Sequence, residues 1–98
     1  MSKLSFEWDS KKNIFNIKKH KISFEEAETV FLDENAAIAY DPDHSINEDR
    51  FIIIGFSLLG RLILACFCER ENSNTIRIIS ARKLTKKEIK EFNRRWTK

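Results

Sequence analysis

Thr75-Ile76-Arg77-Ile78-Ile79-Ser80-Ala81-Arg82 reads as a β-strand by its density of β-branched residues, yet two arginines and a serine interrupt the apolar run. Leaving a guanidinium unpartnered inside a sheet is expensive. Arg77 and Arg82 therefore either pair with carboxylates within the fold or point into a cleft that receives an anion. Phosphate suits them, because the rigid guanidinium fork matches its oxygens and stays charged at every working pH. Strand alternation puts residues five apart on opposite faces. Both arginines line one cleft only if Arg82 lies past the strand end or a bulge re-aims it.

Working outward, Arg50–Leu58 and Leu62–Cys68 are nearly continuous apolar runs separated by Gly60, the mark of a hairpin. The turn 70–74 links the second run to the arginine strand. Close sequential strands with short turns predict an antiparallel meander. Runs apolar on both faces predict helical cover on both sides. Ala36–Tyr40 is a shorter strand, followed by the acidic turn Asp41-Pro42-Asp43-His44.

At the N-terminus, Leu4–Trp8 alternates as a first strand. Asp9 or Ser10 then caps a helix to about Lys19, with Ile14 and Ile17 toward the core. Ser23-x-x-Glu26 is a capping box behind the apolar Ile22, and Phe24, Ala27, Val30 and Phe31 carry a second helix to about Leu32. The two should pack as an αα-hairpin. Lys21 sits at their corner, where a helix end favours Gly. Thr85-x-x-Glu88 opens a C-terminal helix with Ile89, Phe92 and Trp96 on one face. The expected class is α+β, an antiparallel sheet meander with an N-terminal αα-hairpin and a C-terminal helix.

A chain of 98 residues, 42% apolar and 34% charged with 2 Gly and 1 Pro, has the length of one domain (1–98) and little material for linkers. No apolar run suits a membrane span or a signal peptide, so a cytoplasmic protein is expected. Cys66 and Cys68 lack CxxC or ordered His spacing, which fits free thiols rather than a disulfide or metal site. No cofactor or metal is expected. Net charge is +3, with lysines crowding the N-terminal part, basic residues from Arg82 onward, and acids between Glu25 and Asp49. Basic ends around an acidic middle suit RNA at one surface and a different partner at another.

Several spaced segments carry a family resemblance: Phe6-Glu7-Trp8-Asp9, Asn16, Lys19-His20, Ser23-Phe24-Glu25-Glu26-Ala27, Glu48, Arg50, Gly55, Gly60-Arg61, Ile76–Arg82 and Thr85–Glu88. The whole chain resembles the BrnT family, toxins of type II toxin–antitoxin pairs. The resemblance implies a RelE-like fold and metal-independent RNA cleavage that arrests growth. It also implies a BrnA-like ribbon-helix-helix antitoxin that binds operator DNA. Lys21 stands where the family usually has Gly, and Phe92 where a Tyr is common. The second departure removes a phenolic hydroxyl from proton transfer.

Metal-free RNA cleavage needs a base for the 2′-hydroxyl, an acid for the leaving 5′-oxygen and cations for the phosphorane. Arg77 and Arg82 are the first candidates for the cations, against structural pairing with an acid such as Glu48 or Glu88. His20 and Lys19, near a helix C-terminus, are candidates to assist charge or proton handling, His20 as the acid, against a role capping the last carbonyls. Arg50 and Arg61 are secondary phosphate contacts, against an ion pair with Glu48 or Asp49 for Arg50 and a solvated charge for Arg61. Glu48 and Glu69 are the strand-adjacent carboxylates available as a base, while Glu88 is explained by its capping box. Trp8 can stack on a base, against core packing; Trp96 is packing or a seat for the antitoxin, and His44 is an exposed loop residue. The alternative to a ribonuclease is a non-catalytic RNA- or protein-binding α+β module, or a structural subunit whose activity is lost. Cations inside the sheet favour chemistry, because a pure binder can keep its charges on exposed helices.

Overall fold

A computed structural model describes residues 4–70 and 74–96, with side chains through Arg94. The turn expected around 70–74 and the packing expected of Trp96 fall at or beyond the edge of the described residues. In chain order the elements are β1 (Ser5–Glu7), α1 (Ser10–His20), α2 (Phe24–Thr29), β2 (Ala37–Tyr40), β3 (Arg50–Phe56), β4 (Leu62–Arg70), β5 (Thr75–Lys83) and α3 (Lys86–Trp96). Short 3-10 turns occupy Val30–Leu32 and Pro42–His44.

The five strands form one mixed sheet in the order β1-β5-β4-β3-β2. From β2 to β5 it is the expected antiparallel meander. The first strand departs from that expectation, because β1 joins the edge of β5 in parallel, Phe6 opposite Ile76 and Glu7 opposite Arg77. Two helices and three strands separate β1 from β5, so no hairpin constrains its direction.

One sheet face carries the core. Ile53, Ile63, Ala65, Phe67, Ile76, Ile78 and Ala81 meet Ile22, Phe24, Ala27 and Val30. Each large side chain fully buried there stabilises the fold by about 1.5–3 kcal/mol. Gly55 lies where Val30, Asp33 and Ala36 press on β3; a Cβ there would sit 2.9 Å from that of Ala36. Only a residue without a side chain admits that approach.

The other face is not closed by helices as expected. Ile52, Ile54 and Cys66 remain half-exposed on it, and α3 touches the other described elements only lightly. Apolar runs therefore reflect a face that is partly open rather than one under a helical layer.

The first helix corrects another expectation. Ile14 and Ile17 are 58% and 41% exposed, while Asn13 and Asn16 are buried. Because β1 ends opposite Arg77, the edge of β5 beyond it has no strand neighbour. Asn16 serves as one: its amide donates to the Ala81 carbonyl at 2.7 Å and its oxygen accepts from the Ala81 N–H at 3.2 Å. The same amide donates to the Ile22 carbonyl. Asn13 accepts from the Phe24 N–H and donates to Glu25, fixing α1 against the start of α2. Isoleucine in either place would leave buried backbone groups unpaired, so the polar pair turns inward.

At the corner between α1 and α2, Lys21 adopts φ 61° and its N–H reaches the Ile17 carbonyl. The Ser23 box is half made. Its hydroxyl accepts from the Glu26 N–H, but the Glu26 carboxylate turns away to Arg61 and Ser57. The Thr85–Glu88 box is complete in both directions, at 2.8 and 3.1 Å. No described helix is long and apolar enough to cross a membrane.

Candidate active site

The arginine strand does contain a bulge. Phe67 pairs with Ile78 and Cys66 with Ser80, leaving Ile79 without an opposite residue. The extra residue restores phase, so Arg77, Ser80 and Arg82 share one face with Cys68, Cys66 and Leu64 opposite them. Across β4, Cys68 faces Arg50 on β3. Arg50, Cys68, Arg77 and Glu7 thus form one row across four strands. At the usual strand spacing, the Cα atoms of Arg50 and Arg77 are about 10 Å apart. The half-open sheet face therefore displays three guanidiniums.

Each of the three is held by a carboxylate. Arg77 donates to Glu7 at 2.8 Å, with the two side chains 34% and 38% exposed. Arg82 grips Glu88 through two bonds of 2.8 Å. Arg50 lies 3.3 Å from Glu48, and its Nε is buried with no partner among the described residues. The pairing alternative foreseen for these arginines is thus realised together with the shared face. The carboxylates are about one-third exposed, so the single contacts of Arg77 and Arg50 are the looser ones, and a phosphate offers each guanidinium a bidentate contact.

The electrostatics follow from these pairs. Arg82 beside it, the Thr85 N–H and its other contacts hold the Glu88 carboxyl down at about 2. Glu88 in turn raises Arg82, to which Cys66 is also a near neighbour. Asp9 is lowered by the Lys12 and Lys11 N–H groups at the start of α1, with a smaller contribution from Arg77. Burial pushes the Cys68 thiol up, and the nearby Glu48 adds to it. Both cysteines are free.

The remaining candidates lie elsewhere. Arg61 clamps the buried Glu26 of α2 and donates to the Lys21 carbonyl at 2.9 Å. It ties the β3–β4 turn to the α1–α2 corner. Trp8 packs edge-to-face on Phe24, 6.1 Å between ring centroids, at the margin of the core. Lys19 lies over the Phe15 ring on the outer side of α1. Neither His20 nor Lys19 makes a hydrogen bond or ion pair with the arginine face. Glu69 is exposed at the end of β4.

Three relationships lay beyond the sequence reading. Glu7 reaches Arg77 through the parallel pairing of chain segments some 70 positions apart. Glu26 reaches Arg61 across 35 positions. Neither has a local signal. The third is local: His44 Nδ1 lies 2.8 Å from Asp41 Oδ2, three residues before it. His44 lines a cleft of about 480 Å³ with Asp43, Ile46, Asn47, Glu48 and Arg50. An Asp three residues before a His in a Pro-containing turn was the available sign. Among the described residues no three His, Cys, Asp or Glu side chains converge as metal ligands.

The fold has a counterpart. The chain is similar in structure to the Brucella abortus ribonuclease toxin BrnT, known from a 1.1 Å crystal structure. The TM-score is 0.62 at 24% identity, covering 88% of this chain and 100% of that one. None of the curated proteins matches it. The family model described as the ribonuclease toxin BrnT of type II toxin–antitoxin systems matches residues 8–88. With that match spanning most of its length, the chain belongs to the BrnT family of ribonuclease toxins.

Proposed function

We propose that this protein is a metal-independent endoribonuclease whose scissile phosphate sits on the arginine face of the sheet. The observation that carries the reading is the bulge at Ile79, which brings Arg77 and Arg82 to the face that also bears Arg50. Arg50 and Arg77 flank one row and stabilise the charge that builds on the phosphorane. Arg82 holds the neighbouring backbone, exchanging Glu88 for phosphate. Ser80, between the two β5 arginines, offers a neutral hydrogen bond. Lys19 contributes positive charge along α1, His20 lies beside it, and Trp8 and Arg61 support the frame. Glu48 positions Arg50.

The wider reading is a one-domain, RelE-like cytoplasmic toxin with α1 and α2 as its helical hairpin. It arrests growth by cutting RNA and is silenced by a BrnA-like antitoxin whose ribbon-helix-helix domain binds operator DNA. Family membership supports the toxin–antitoxin setting and RNA as substrate. The half-open arginine face and the exposed apolar side of α1 are surfaces such a partner can cover.

The test is cleavage of a generic RNA by the purified protein in excess EDTA, with product ends identified. Fragments ending in 2′,3′-cyclic phosphate and 5′-hydroxyl are expected. RNA bound but left intact, with and without ribosomes, would favour a binding module instead.

A further inference from the structure

We infer that His44, oriented by Asp41, is the general base of RNA cleavage, an assignment that rests on the ribonuclease reading above. A carboxylate only accepts hydrogen bonds, so the 2.8 Å contact with Asp41 Oδ2 places a proton on His44 Nδ1. The lone pair of the neutral ring is then on Nε2, which has no partner among the described residues. The side chain is 70% exposed, open to a substrate.

The position of this pair is fixed relative to the arginine row. The Asp41 N–H donates to the Arg50 carbonyl at 2.8 Å. The Ser45 hydroxyl donates to the Asp41 carbonyl at 2.6 Å and accepts from the Arg50 N–H at 2.8 Å. Asp41, His44 and Ser45 are thus hung on the backbone of the first residue of β3. The same residue lines the cleft together with His44. The charged groups around the imidazole are Asp41, Asp43, Glu48 and Arg50. Base and phosphate-binding cation are therefore delivered to one cleft by one turn, a juxtaposition that His20 lacks.

In the reaction, Nε2 takes the proton of the 2′-hydroxyl as the O2′–P bond forms and the P–O5′ bond breaks. The departing O5′ takes a proton from water, and the imidazolium returns its proton to the hydroxide so made. The products are a 2′,3′-cyclic phosphate and a 5′-hydroxyl, with Arg50 and Arg77 bearing the phosphorane charge.

The experiment uses the full-length chain and a labelled RNA oligonucleotide in EDTA, comparing wild type with His44→Ala, with and without added imidazole. The expected result is a fall in kcat of about 10²–10⁴-fold for the variant, unchanged melting, and partial recovery with imidazole. Recovery separates chemistry from a turn-closing role, because free imidazole cannot restore a loop. Wild-type cleavage with His44→Ala within about threefold of it would overturn the assignment and leave the ribonuclease reading standing. Loss of activity that imidazole leaves unchanged would overturn it as well. Absence of cleavage by the wild type, with or without ribosomes, would overturn both.

Discussion

Lys21 ends α1 at φ 61°, a left-handed conformation in which a Cβ crowds the backbone. Its carbonyl is held by Arg61 and its N–H by Ile17, so the conformation is fixed by neighbours and not by the side chain. Lys21→Gly should therefore stabilise the protein by about 0.5–1 kcal/mol, read as a higher denaturation midpoint at constant slope. The lack of the Gly expected at a helix end thus shows here as local backbone strain.

Two carboxylates give the residue scale its pH dependence. Glu88 is held at about 2 and Glu26 is lowered chiefly by Arg61, both from an ordinary value of 4.5. Each binds its proton less readily when folded than when unfolded. The stability they contribute is present above about pH 4.5. It is lost as pH falls, through about 2 for Glu88. Glu88→Gln should flatten the decline in melting temperature between pH 4.5 and 2, measured against wild type across that range. An equally steep decline in the variant would show that the Arg82 pair does not couple to folding.

Elements, rather than single residues, decide how α1 is used. Its apolar side chains face outward and its two asparagines face in, because the edge of β5 needs hydrogen bonds more than it needs methyl groups. Asn16→Ala should cost about 2–3 kcal/mol by leaving Ala81 unsatisfied. Ile17→Lys should change stability by less than about 0.5 kcal/mol. Chemical denaturation of the two variants checks both numbers. The reverse order would mean that α1 packs through its isoleucines after all. In sequence, Ile14 and Ile17 at helical spacing look like a core face, and the strand edge that outweighs them is set 65 positions away. The helix starts at Ser23 and Thr85, the three long strands and the hairpin at Gly60 were legible because their signals are local. The parallel docking of β1 was not, since nothing near Ser5–Glu7 states which strand it will join.

For the molecule as a whole, the arginine face arises from one irregularity. Without the unpaired Ile79, Arg82 would turn to the core side of the sheet, where Ala81 and Ile78 now pack. The sequence made both arginines conspicuous and named a bulge as one way to unite them, but strand periodicity alone places no bulge. Register supplies it. On the same face α3 is tethered through Glu88 to Arg82 and otherwise touches the described strands only lightly. In the proposed reading, substrate entry and partner cover share this face with the Arg82–Glu88 tether of α3.

That claim is tested most directly by Arg77→Ala in the EDTA cleavage assay, alongside circular dichroism and melting. The Arg77–Glu7 pair is one-third exposed at the sheet edge, so its loss should cost at most about 1 kcal/mol. The account predicts a folded variant whose cleavage falls by about 10²–10³-fold. A folded variant that cuts like wild type would remove the arginine face from the chemistry, and a variant that unfolds would make Arg77 a structural partner of Glu7 instead.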